Sequence, residues 1–425
     1  MRLDLRYGDG ERSLILPGDV TLDYLEPSPV AVLDDPAVAL GRALTSPVGS
    51  GPLSAQLDAR QKVLVVIADP TRSGTEMMLP VLVEALDRMG VDRTRLSLLV
   101  ARGCHRSMTK EERQFLRTGP LRGITIEEHD CDNSEKLSAL LLTRRRTPVR
   151  VNRVVREADT VILLSPISFH YFAGYGGGRK LILPGCADRQ SILANHRLSL
   201  SDDRPVRIHP MCRPGQLEKN PVSEDMAEAL GALGNIFAVN FFTDPNDRLV
   251  FVNAGDPVES HLEACERFAA SNRVASEPQA GVLVLSAGGS PYDLNLLQAH
   301  KALYHGCETG DGSVILFYAR CEEGVGSESL AAAMEMEWDK FIEQAYRDYD
   351  LNNQAAVSLI GLTRRCRVGM VTELDASVVE SAHMEPVENA EAFLAGALEQ
   401  RATNRVTVMR YGARTLPYIN RSESS

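Results

Sequence analysis

Short, uninterrupted apolar segments recur along this chain, and each is followed by a segment with helical spacing. KVLVVIA at residues 62–68 and GVLVLS at residues 281–286 are the clearest of them. Similar segments stand at residues 96–101, 161–164, 313–318 and 367–372. A strand that is apolar on both faces is covered on both sides, and such strands alternating with helices form largely parallel sheets. The pattern therefore predicts an α/β fold class: two α/β domains with largely parallel sheets.

The length of the chain supports this division. It has 425 residues, whereas domains average roughly 150 residues. A charged helical segment at residues 259–271 separates the two series of strands, so we place the boundary near residue 274. The predicted N-terminal domain spans residues 1–274, and the predicted C-terminal domain spans residues 275–425. Alternating apolar residues between positions 3 and 16 predict a hairpin at the start of the N-terminal domain.

Composition excludes several classes of function. A net charge of -11 and the lack of a dense basic stripe argue against nucleic acid as a partner. No apolar stretch is long enough for a membrane span and the N-terminus has no signal-peptide core, so we expect a cytoplasmic protein with no membrane partner. The eight cysteines contain no CxxC pair, which favours small buried residues over a disulfide framework or a zinc knuckle.

Polar residues directly follow the first two predicted strands. DPTR at residues 69–72 offers the guanidinium fork of Arg72, which suits a carboxylate or a phosphate. GCHR at residues 103–106 follows the second strand. Ligands bind at the carboxyl ends of strands in open α/β sheets, so both segments are candidate site loops. Two simpler interpretations stay open, namely that Asp69 caps the next helix and that His105 is a structural residue.

The segment FHYFAGYGGGRKLILPG, residues 169–185, joins a predicted strand to a helix expected after Asp188. Its glycines allow the backbone to approach a ligand closely, but their spacing fits neither the Walker pattern nor GxGxxG. Arg179 and Lys180 follow the glycines and are placed to meet an anion or to carry a covalent adduct. His196 falls near the end of the expected helix, where a histidine also serves as a simple C-terminal cation.

A fourth candidate loop, SAGGSPYD at residues 286–293, follows the first strand of the C-terminal domain. Lys301 comes about two helical turns after Asn295, which places it to point at a cleft between the domains. A solvated lysine is the plain alternative. Six histidines show no metal-ligand spacing and are assigned no role: His129, His209, His261, His300, His305 and His383.

Taken together, these loops resemble the nickel-dependent lactate racemase family. The matching elements, in family order, are DPTR at 69–72, GCHR at 103–106, HYFAGYGGGRK at 170–180, LANH at 193–196 and GGSPYDLNLLQAHK at 288–301. The long HxFAGxxGGRK…LANH element is the specific one, whereas DPTR and GCHR alone would identify nothing. The resemblance covers both halves of the chain. It implies an isomerase, a racemase or epimerase that inverts the C2 centre of a 2-hydroxy acid, with its active site in the interdomain cleft.

In that family the cofactor is a nickel-pincer nucleotide, pyridinium-3,5-bisthiocarboxylate mononucleotide nickel, tethered covalently to a lysine. The resemblance makes Lys180 the tether and His196 the protein ligand of the nickel, whose geometry is roughly square-planar. The partners it implies are a small 2-hydroxy acid and the enzymes that make the cofactor. Further cofactor contacts fall to Asp69, Gly176, Gly177, Gly178 and Gln298.

The same resemblance assigns the catalytic residues. His105 and His170 match the two acid/base histidines, and Arg72 and Lys301 match the residues that hold the substrate carboxylate. An α-proton beside a carboxylate is hard to remove, so a hydride leaves C2 while one histidine takes the hydroxyl proton. Return of the hydride to the other face inverts the centre and needs a second base on the opposite side. Leu297 stands where lactate-acting members are expected to carry tyrosine, so the substrate stays open among lactate and related 2-hydroxy acids.

Two other functions remain as alternatives. A zinc-dependent hydrolase would use His105, His170 and His196 as ligands, although no HExxH motif and no nearby ligating carboxylate supports it. A non-catalytic nucleotide or phosphate sensor would use the glycine run alone, and it would need neither the pair of histidines nor Lys301.

Overall fold

The computed structural model describes residues 1–58, 60–276 and 281–419. The chain divides into two compact units. The glycine-loop unit consists of Pro29–Ser199 and Met211–Ala269. The hairpin unit consists of Met1–Ser28, Leu200–Pro210 and the described residues from Ala270 onward. Both units are α/β structures with mostly parallel sheets, so the predicted fold class is confirmed.

The sheet of the glycine-loop unit has six strands. Their spatial order is Leu249–Gly255, Ile236–Thr243, Thr160–Pro166, Val63–Ala68, Leu96–Ala101, Thr125–Glu128. Neighbours are parallel except at the edge pair formed by the first two strands of this order. After Val63–Ala68 the chain adds Leu96–Ala101 and Thr125–Glu128 on one side of that strand. It then adds Thr160–Pro166 on the other side. A topological switch point, where open α/β sheets bind ligands, therefore lies between these two strands.

Helices pack on this sheet and are closed by side chains at their ends. Residues Thr109 to Glu112 resemble a capping box in the sequence, and in the structure Thr109 accepts from the backbone N–H of Glu112 at 3.2 Å. Asp188 accepts from the N–H of Ser191 at 2.9 Å and starts the predicted helix at Arg189. The helices are Pro36–Thr45, Leu53–Gln56, Thr75–Arg88, Lys110–Phe115, Arg153–Glu157, Arg189–Arg197, Pro221–Gly231 and Glu259–Asn272. Shorter strands form two further pairs, Leu137–Leu142 with Pro148–Asn152 and Phe169–His170 with Gly174–Tyr175.

The sheet of the hairpin unit is parallel throughout. Its spatial order is Glu385–Pro386, Arg367–Val371, Val314–Tyr318, Val282–Ser286, Arg405–Met409, Thr21–Tyr24. Its helices are Leu296–Cys307, Glu328–Met334, Trp338–Arg347, Asn353–Thr363, Ala376–Ser381 and Ala390–Arg401. A separate parallel pair joins Arg273–Ser276 to Leu416–Ile419. In the part of the chain that the structure describes, no helix is both long and apolar enough to cross a bilayer.

Helical spacing in the sequence predicts a single helix over residues 329–346, but the structure has two helices, Glu328–Met334 and Trp338–Arg347. Glu337 has φ -56 and ψ 129, outside the helical region, which interrupts the hydrogen-bond ladder before Trp338. Helical spacing of apolar residues continues across the break, so the pattern alone could not reveal it.

The N-terminal hairpin lies in the hairpin unit, whereas the sequence placed residues 1–28 in the N-terminal domain. Arg2–Tyr7 pairs with Gly10–Ile15 as predicted. The inward side chains of the hairpin pack with one face of the parallel sheet, in a cluster that includes Leu5, Leu14, Val284 and Leu316. An isolated hairpin is marginally stable and needs an apolar face to cover. The sequence predicted the hairpin but contained no signal for the face that it covers.

The hairpin generates a stability prediction. Leu5 is 0% exposed and Ile15, on the same hairpin, is 55% exposed. Leu5→Ala should lower the free energy of unfolding by about 2–5 kcal/mol because it leaves a cavity under the hairpin. Ile15→Ala should change it by no more than about 0.5 kcal/mol. Chemical denaturation followed by circular dichroism measures both, and equal effects would show that the hairpin does not cover the core.

Candidate active site

Neighbouring parallel strands bring Asp69 and His105 together. Val63–Ala68 and Leu96–Ala101 end side by side, and Nδ1 of His105 lies 3.1 Å from Oδ2 of Asp69. The other carboxylate oxygen accepts from the backbone N–H of Thr71 at 2.9 Å. The side chain of His105 is 34% exposed, whereas Asp69 is buried. A carboxylate beside Nδ1 favours the tautomer with the proton on that nitrogen, so Nε2 carries the lone pair.

The charge on Asp69 is maintained by its neighbours. Burial alone would raise its pKa, but the imidazole of His105, the guanidinium of Arg72 and the hydrogen bond from Thr71 together hold the pKa of Asp69 well below its ordinary value. Arg72 is half-buried and donates from Nη1 to the carbonyl and the hydroxyl of Thr71 at 3.1 and 3.0 Å. Asp69 therefore stays ionised at neutral pH and keeps His105 oriented.

A buried phenylalanine ring lies among three of the predicted side chains. The ring of Phe172 makes edge-to-face contacts with the rings of His170 at 4.6 Å and His196 at 4.9 Å. The ammonium of Lys180 lies 5.4 Å from the centre of the same ring. Phe172 is 2% exposed, and its carbonyl accepts from Nδ2 of Asn220 at 2.9 Å. Phe172 thus fixes the spacing of His170, Lys180 and His196.

His170 differs from His105 in the role of its ring nitrogens. Its Nδ1 accepts from the backbone N–H of Ala173 at 3.2 Å, and the side chain is buried. In the neutral ring the proton therefore sits on Nε2. The two histidines thus present opposite polarity, since Nε2 of His105 is an acceptor and Nε2 of His170 is a donor.

Lys180 lies in the short 3-10 turn Gly178–Leu181 and is half-buried. Burial, with the nearby charge of Arg72, lowers the pKa of Lys180 to about 7. An amine with this pKa is about half neutral at pH 7, and the neutral amine is the nucleophilic form.

His196 lies in the last turn of the helix Arg189–Arg197, and its Nδ1 lies 3.3 Å from Oδ1 of Asn195. Burial first, and then the charges of Lys180 and His105, hold the pKa of His196 well below its ordinary value. The ring is therefore neutral, which is the form that binds a metal ion, and Nε2 is the nitrogen turned away from Asn195.

The glycine run is packed tightly against the protein itself. Gly178 has φ +52, and a Cβ there would lie 2.5 Å from Cδ2 of His261. A Cβ on Gly177 would lie 2.8 Å from Oγ of Ser165, to which the N–H of Gly178 also donates. Close backbone packing therefore accounts for these glycines, and cofactor contacts by Gly176, Gly177 and Gly178 stay a prediction.

His261 has a structural role that its sequence context did not indicate. It is buried, and its Nε2 lies 3.1 Å from the carbonyl oxygen of Gly176. Burial and the charge of Arg179 lower the pKa of His261 to about 4, so the ring is neutral and supports the glycine run from behind. The two segments are far apart in the sequence, and His261 has no motif of its own, so no sequence signal marked it.

Gln298 and Lys301 lie in the hairpin unit, on the helix Leu296–Cys307. They are three residues apart on one helical face, and Nζ of Lys301 donates to Oε1 of Gln298 at 2.5 Å. Asn295 caps this helix by accepting from the N–H of Gln298 at 3.0 Å. Leu297 packs against the core of the unit and offers no polar group. The structure thus places two of the predicted residues in the hairpin unit and nine in the glycine-loop unit: Asp69, Arg72, His105, His170, Gly176, Gly177, Gly178, Lys180 and His196.

The zinc alternative gains no support from this geometry. Among the described residues, possible ligand atoms gather within 4.8 Å of one another at Asp130, Cys131 and Asp132, and not at the three histidines. A hydrolytic zinc site built from His105, His170 and His196 would need a different arrangement.

Comparison with known proteins gives a consistent result. A family model described as the lactate racemase N-terminal domain matches residues 7–206, and one described as the lactate racemase C-terminal domain matches residues 275–416. A lactate racemase from Thermoanaerobacterium thermosaccharolyticum is 31% identical over 294 residues, which are 68% of this chain and 67% of the relative. A lactate racemase from Lactiplantibacillus plantarum is 27% identical over 304 residues, with 68% of this chain and 67% of the relative covered.

Solved structures agree with the sequence matches. The lactate racemase apoprotein from Thermoanaerobacterium thermosaccharolyticum superposes with a TM-score of 0.83 at 26% identity, covering 98% of this chain and 100% of the other. A protein from Thermotoga maritima superposes with a TM-score of 0.65 at 16% identity, covering 87% of this chain and 96% of the other, and shares the fold.

The environment of Lys180 predicts its reactivity. In the protein without added cofactor, labelling of Lys180 by acetic anhydride should rise with a midpoint near pH 7 rather than near the ordinary value of 10.5. Arg72→Gln removes a neighbouring positive charge and should move this midpoint upward. Mass spectrometry of the peptide containing Lys180 measures the labelling. Arg106→Gln, at an exposed arginine paired with Glu112, is the control and should leave the midpoint unchanged. A midpoint near 10.5 in the unsubstituted protein would contradict the prediction.

Proposed function

Because the chain belongs to the lactate racemase family and is therefore an isomerase, we propose that it inverts the C2 centre of a 2-hydroxy acid by reversible hydride transfer. Lactate or a close relative is the substrate. The observation that carries this proposal is the pairing of Lys180, with its lowered pKa, and the neutral, buried His196 around the ring of Phe172. A nucleophilic amine beside a metal-binding imidazole is what a covalently tethered metal cofactor requires.

We propose that the cofactor is the nickel-pincer nucleotide. Lys180 would hold it by a covalent bond, and His196 would hold the nickel through Nε2, since Nδ1 faces Asn195. An uncharged imidazole suits a divalent late transition metal such as nickel, so these residues fit the group. When bound, the cofactor supplies an acceptor for the hydride at C2. The enzymes that make this cofactor are then necessary partners of the protein.

The charges around the site support an anionic substrate. Arg72 and Arg179 are cationic groups in the same unit, and Arg179 is buried, with Oγ of Ser223 accepting from its Nη1 at 3.2 Å. We assign the substrate carboxylate to Arg72, whose planar fork suits two carboxylate oxygens, and to Lys301. Gln298 orients the Lys301 ammonium through their hydrogen bond.

His105 is the residue prepared to take a proton. Asp69 holds the Nδ1 proton and stabilises the imidazolium that forms when Nε2 accepts the substrate hydroxyl proton. His170 would donate its Nε2–H to the substrate hydroxyl oxygen from the side opposite His105. To accept a proton from the opposite enantiomer, His170 must loosen the contact between its Nδ1 and Ala173, so the two histidines need not contribute equally to the rate.

The tether predicts a defined covalent adduct. Protein produced together with the cofactor-making enzymes should show an intact mass increased by the cofactor, and Lys180→Ala should abolish the increase. Lys62→Ala, at an exposed lysine of the same unit, should retain it. An adduct that persists in Lys180→Ala, or one that never forms on the unsubstituted protein, would refute the tether.

The two-base arrangement predicts that His105 and His170 are both required for racemisation. His105→Ala and His170→Ala should each slow interconversion by about 100-fold or more, whichever enantiomer is supplied. Chiral chromatography of both enantiomers of lactate and of a panel of 2-hydroxy acids measures the rates and identifies the preferred substrate. His383→Asn, at an exposed histidine of the hairpin unit with φ +56, should be as active as the unsubstituted enzyme. Full activity in either alanine variant would remove that histidine from the mechanism.

A further inference from the structure

Two cysteines that are distant in the sequence lie side by side in the structure. Cys104 and Cys131 each follow a strand, and the two strands, Leu96–Ala101 and Thr125–Glu128, are parallel neighbours. Because each cysteine stands the same distance beyond the end of its strand, the two side chains meet. Their sulfur atoms are 3.4 Å apart. The spacing along the chain gave no hint of this pair.

The backbone on both sides of the pair is fixed. The N–H of Gly103 donates to the carbonyl of Gly185 at 2.9 Å, and the N–H of Arg189 donates to the carbonyl of Cys131 at 3.2 Å. Cys131 is 4% exposed, whereas Cys104 is half-buried and is therefore accessible to small reagents. The sulfur atoms are held in contact, with one of them reachable from solvent.

The surroundings activate one of the two thiols. Donation of the Cys104 S–H to the sulfur of Cys131 lowers the pKa of Cys131. This effect, with the smaller one of the Arg189 guanidinium, outweighs burial and the charge of Asp132, to which the Cys131 thiol donates at 3.7 Å. The carboxylate of Asp132 lies beside the pair, but its two oxygens accept from Arg189 at 2.7 and 2.6 Å. With this carboxylate engaged by a guanidinium, the two sulfurs are set to react with each other rather than to bind a metal ion.

We propose that Cys104 and Cys131 form a reversible disulfide when the protein meets a peroxide. One sulfur of the pair, as its thiolate, attacks one peroxide oxygen, giving a sulfenic acid and releasing the other oxygen as water. The other sulfur of the pair then displaces the hydroxyl of the sulfenic acid as a second water. Two thiols and one hydrogen peroxide thus give one disulfide and two waters. A dithiol reductant restores both thiols by exchange.

The disulfide has a consequence for the site, and this part rests on the proposed function. Cys104 immediately precedes His105 in a turn closed by the His105 N–H and the Arg102 carbonyl at 2.9 Å. Forming the bond draws the sulfurs from 3.4 Å to about 2.0 Å. The shift of Cys104 acts on the contact between His105 and Asp69. Since a displacement of about 1 Å in an active site can cost 100-fold in rate, we expect a loss of at least about tenfold.

The test uses the cofactor-loaded protein with stoichiometric hydrogen peroxide. Intact mass should fall by about 2 Da, and a non-reducing peptide map should contain Cys104 and Cys131 in one cross-linked species. Racemisation should fall at least about tenfold and should recover fully with dithiothreitol. Cys131→Ser and Cys104→Ser should each be active without peroxide, should form no such species, and should resist reversible inhibition.

Cys366→Ser is the matched control, because Cys307 and Cys366 also share a hydrogen bond and are both buried. This variant should retain the link between Cys104 and Cys131. Absence of that cross-linked species from oxidised protein would overturn the proposal. A cross-link with undiminished racemisation would overturn its effect on the site. If the reduced, loaded protein has no racemase activity at all, the proposed function fails, while the peptide map still decides whether the disulfide forms.

Discussion

The parallel alignment of Val63–Ala68 with its two neighbours determines where this protein can do chemistry. Leu96–Ala101 and Thr160–Pro166 run beside it in the same direction, so the three segments that follow these strands emerge at one edge of the sheet. Backbone hydrogen bonding within a parallel ladder fixes the relative positions of the strand ends. The first residues of the loops that follow are therefore held at defined positions as well. The contact between Asp69 and His105 exists because two strand ends are adjacent. The same rule places Cys104 against Cys131 one strand further along.

Burial gives neighbouring side chains different charge states at one pH. Asp69 stays ionised because its interactions with His105, Arg72 and Thr71 outweigh the cost of burying a carboxylate. For Lys180, burial together with the charge of Arg72 lowers the pKa and shifts the side chain toward the neutral amine. His196 is neutral because burial, with the charges of Lys180 and His105, lowers its pKa. An ionised carboxylate, a partly neutral amine and a neutral imidazole therefore occur together in one unit at neutral pH.

Much of this fold could be predicted because buried strands appear in the sequence as continuous apolar segments. The strand expected at residues 96–101 is Leu96–Ala101, and the capping box at Thr109 is present. The family resemblance, which rested on HYFAGYGGGRK and LANH, is confirmed by the family models and the curated relatives. Contacts between distant segments could not be predicted in this way. The partner of the N-terminal hairpin, the support of the glycine run by His261, and the pairing of Cys104 with Cys131 all depend on which surfaces meet, and no local pattern encodes that.

The glycine run illustrates how residues can have a packing role that their sequence pattern does not indicate. Runs of glycine beside a lysine are typical of phosphate loops, where exposed N–H groups surround an anion. Here the N–H of Gly178 donates to Ser165, and a Cβ at Gly178 would clash with His261. Because glycine has no side chain, the loop can pack closely against its own unit. This packing fixes the turn that carries Lys180. A rigid turn holds the amine near Phe172 in a partly buried position, and burial is the main cause of its lowered pKa. The glycines therefore contribute to the reactivity of Lys180 through packing, whether or not they touch a ligand.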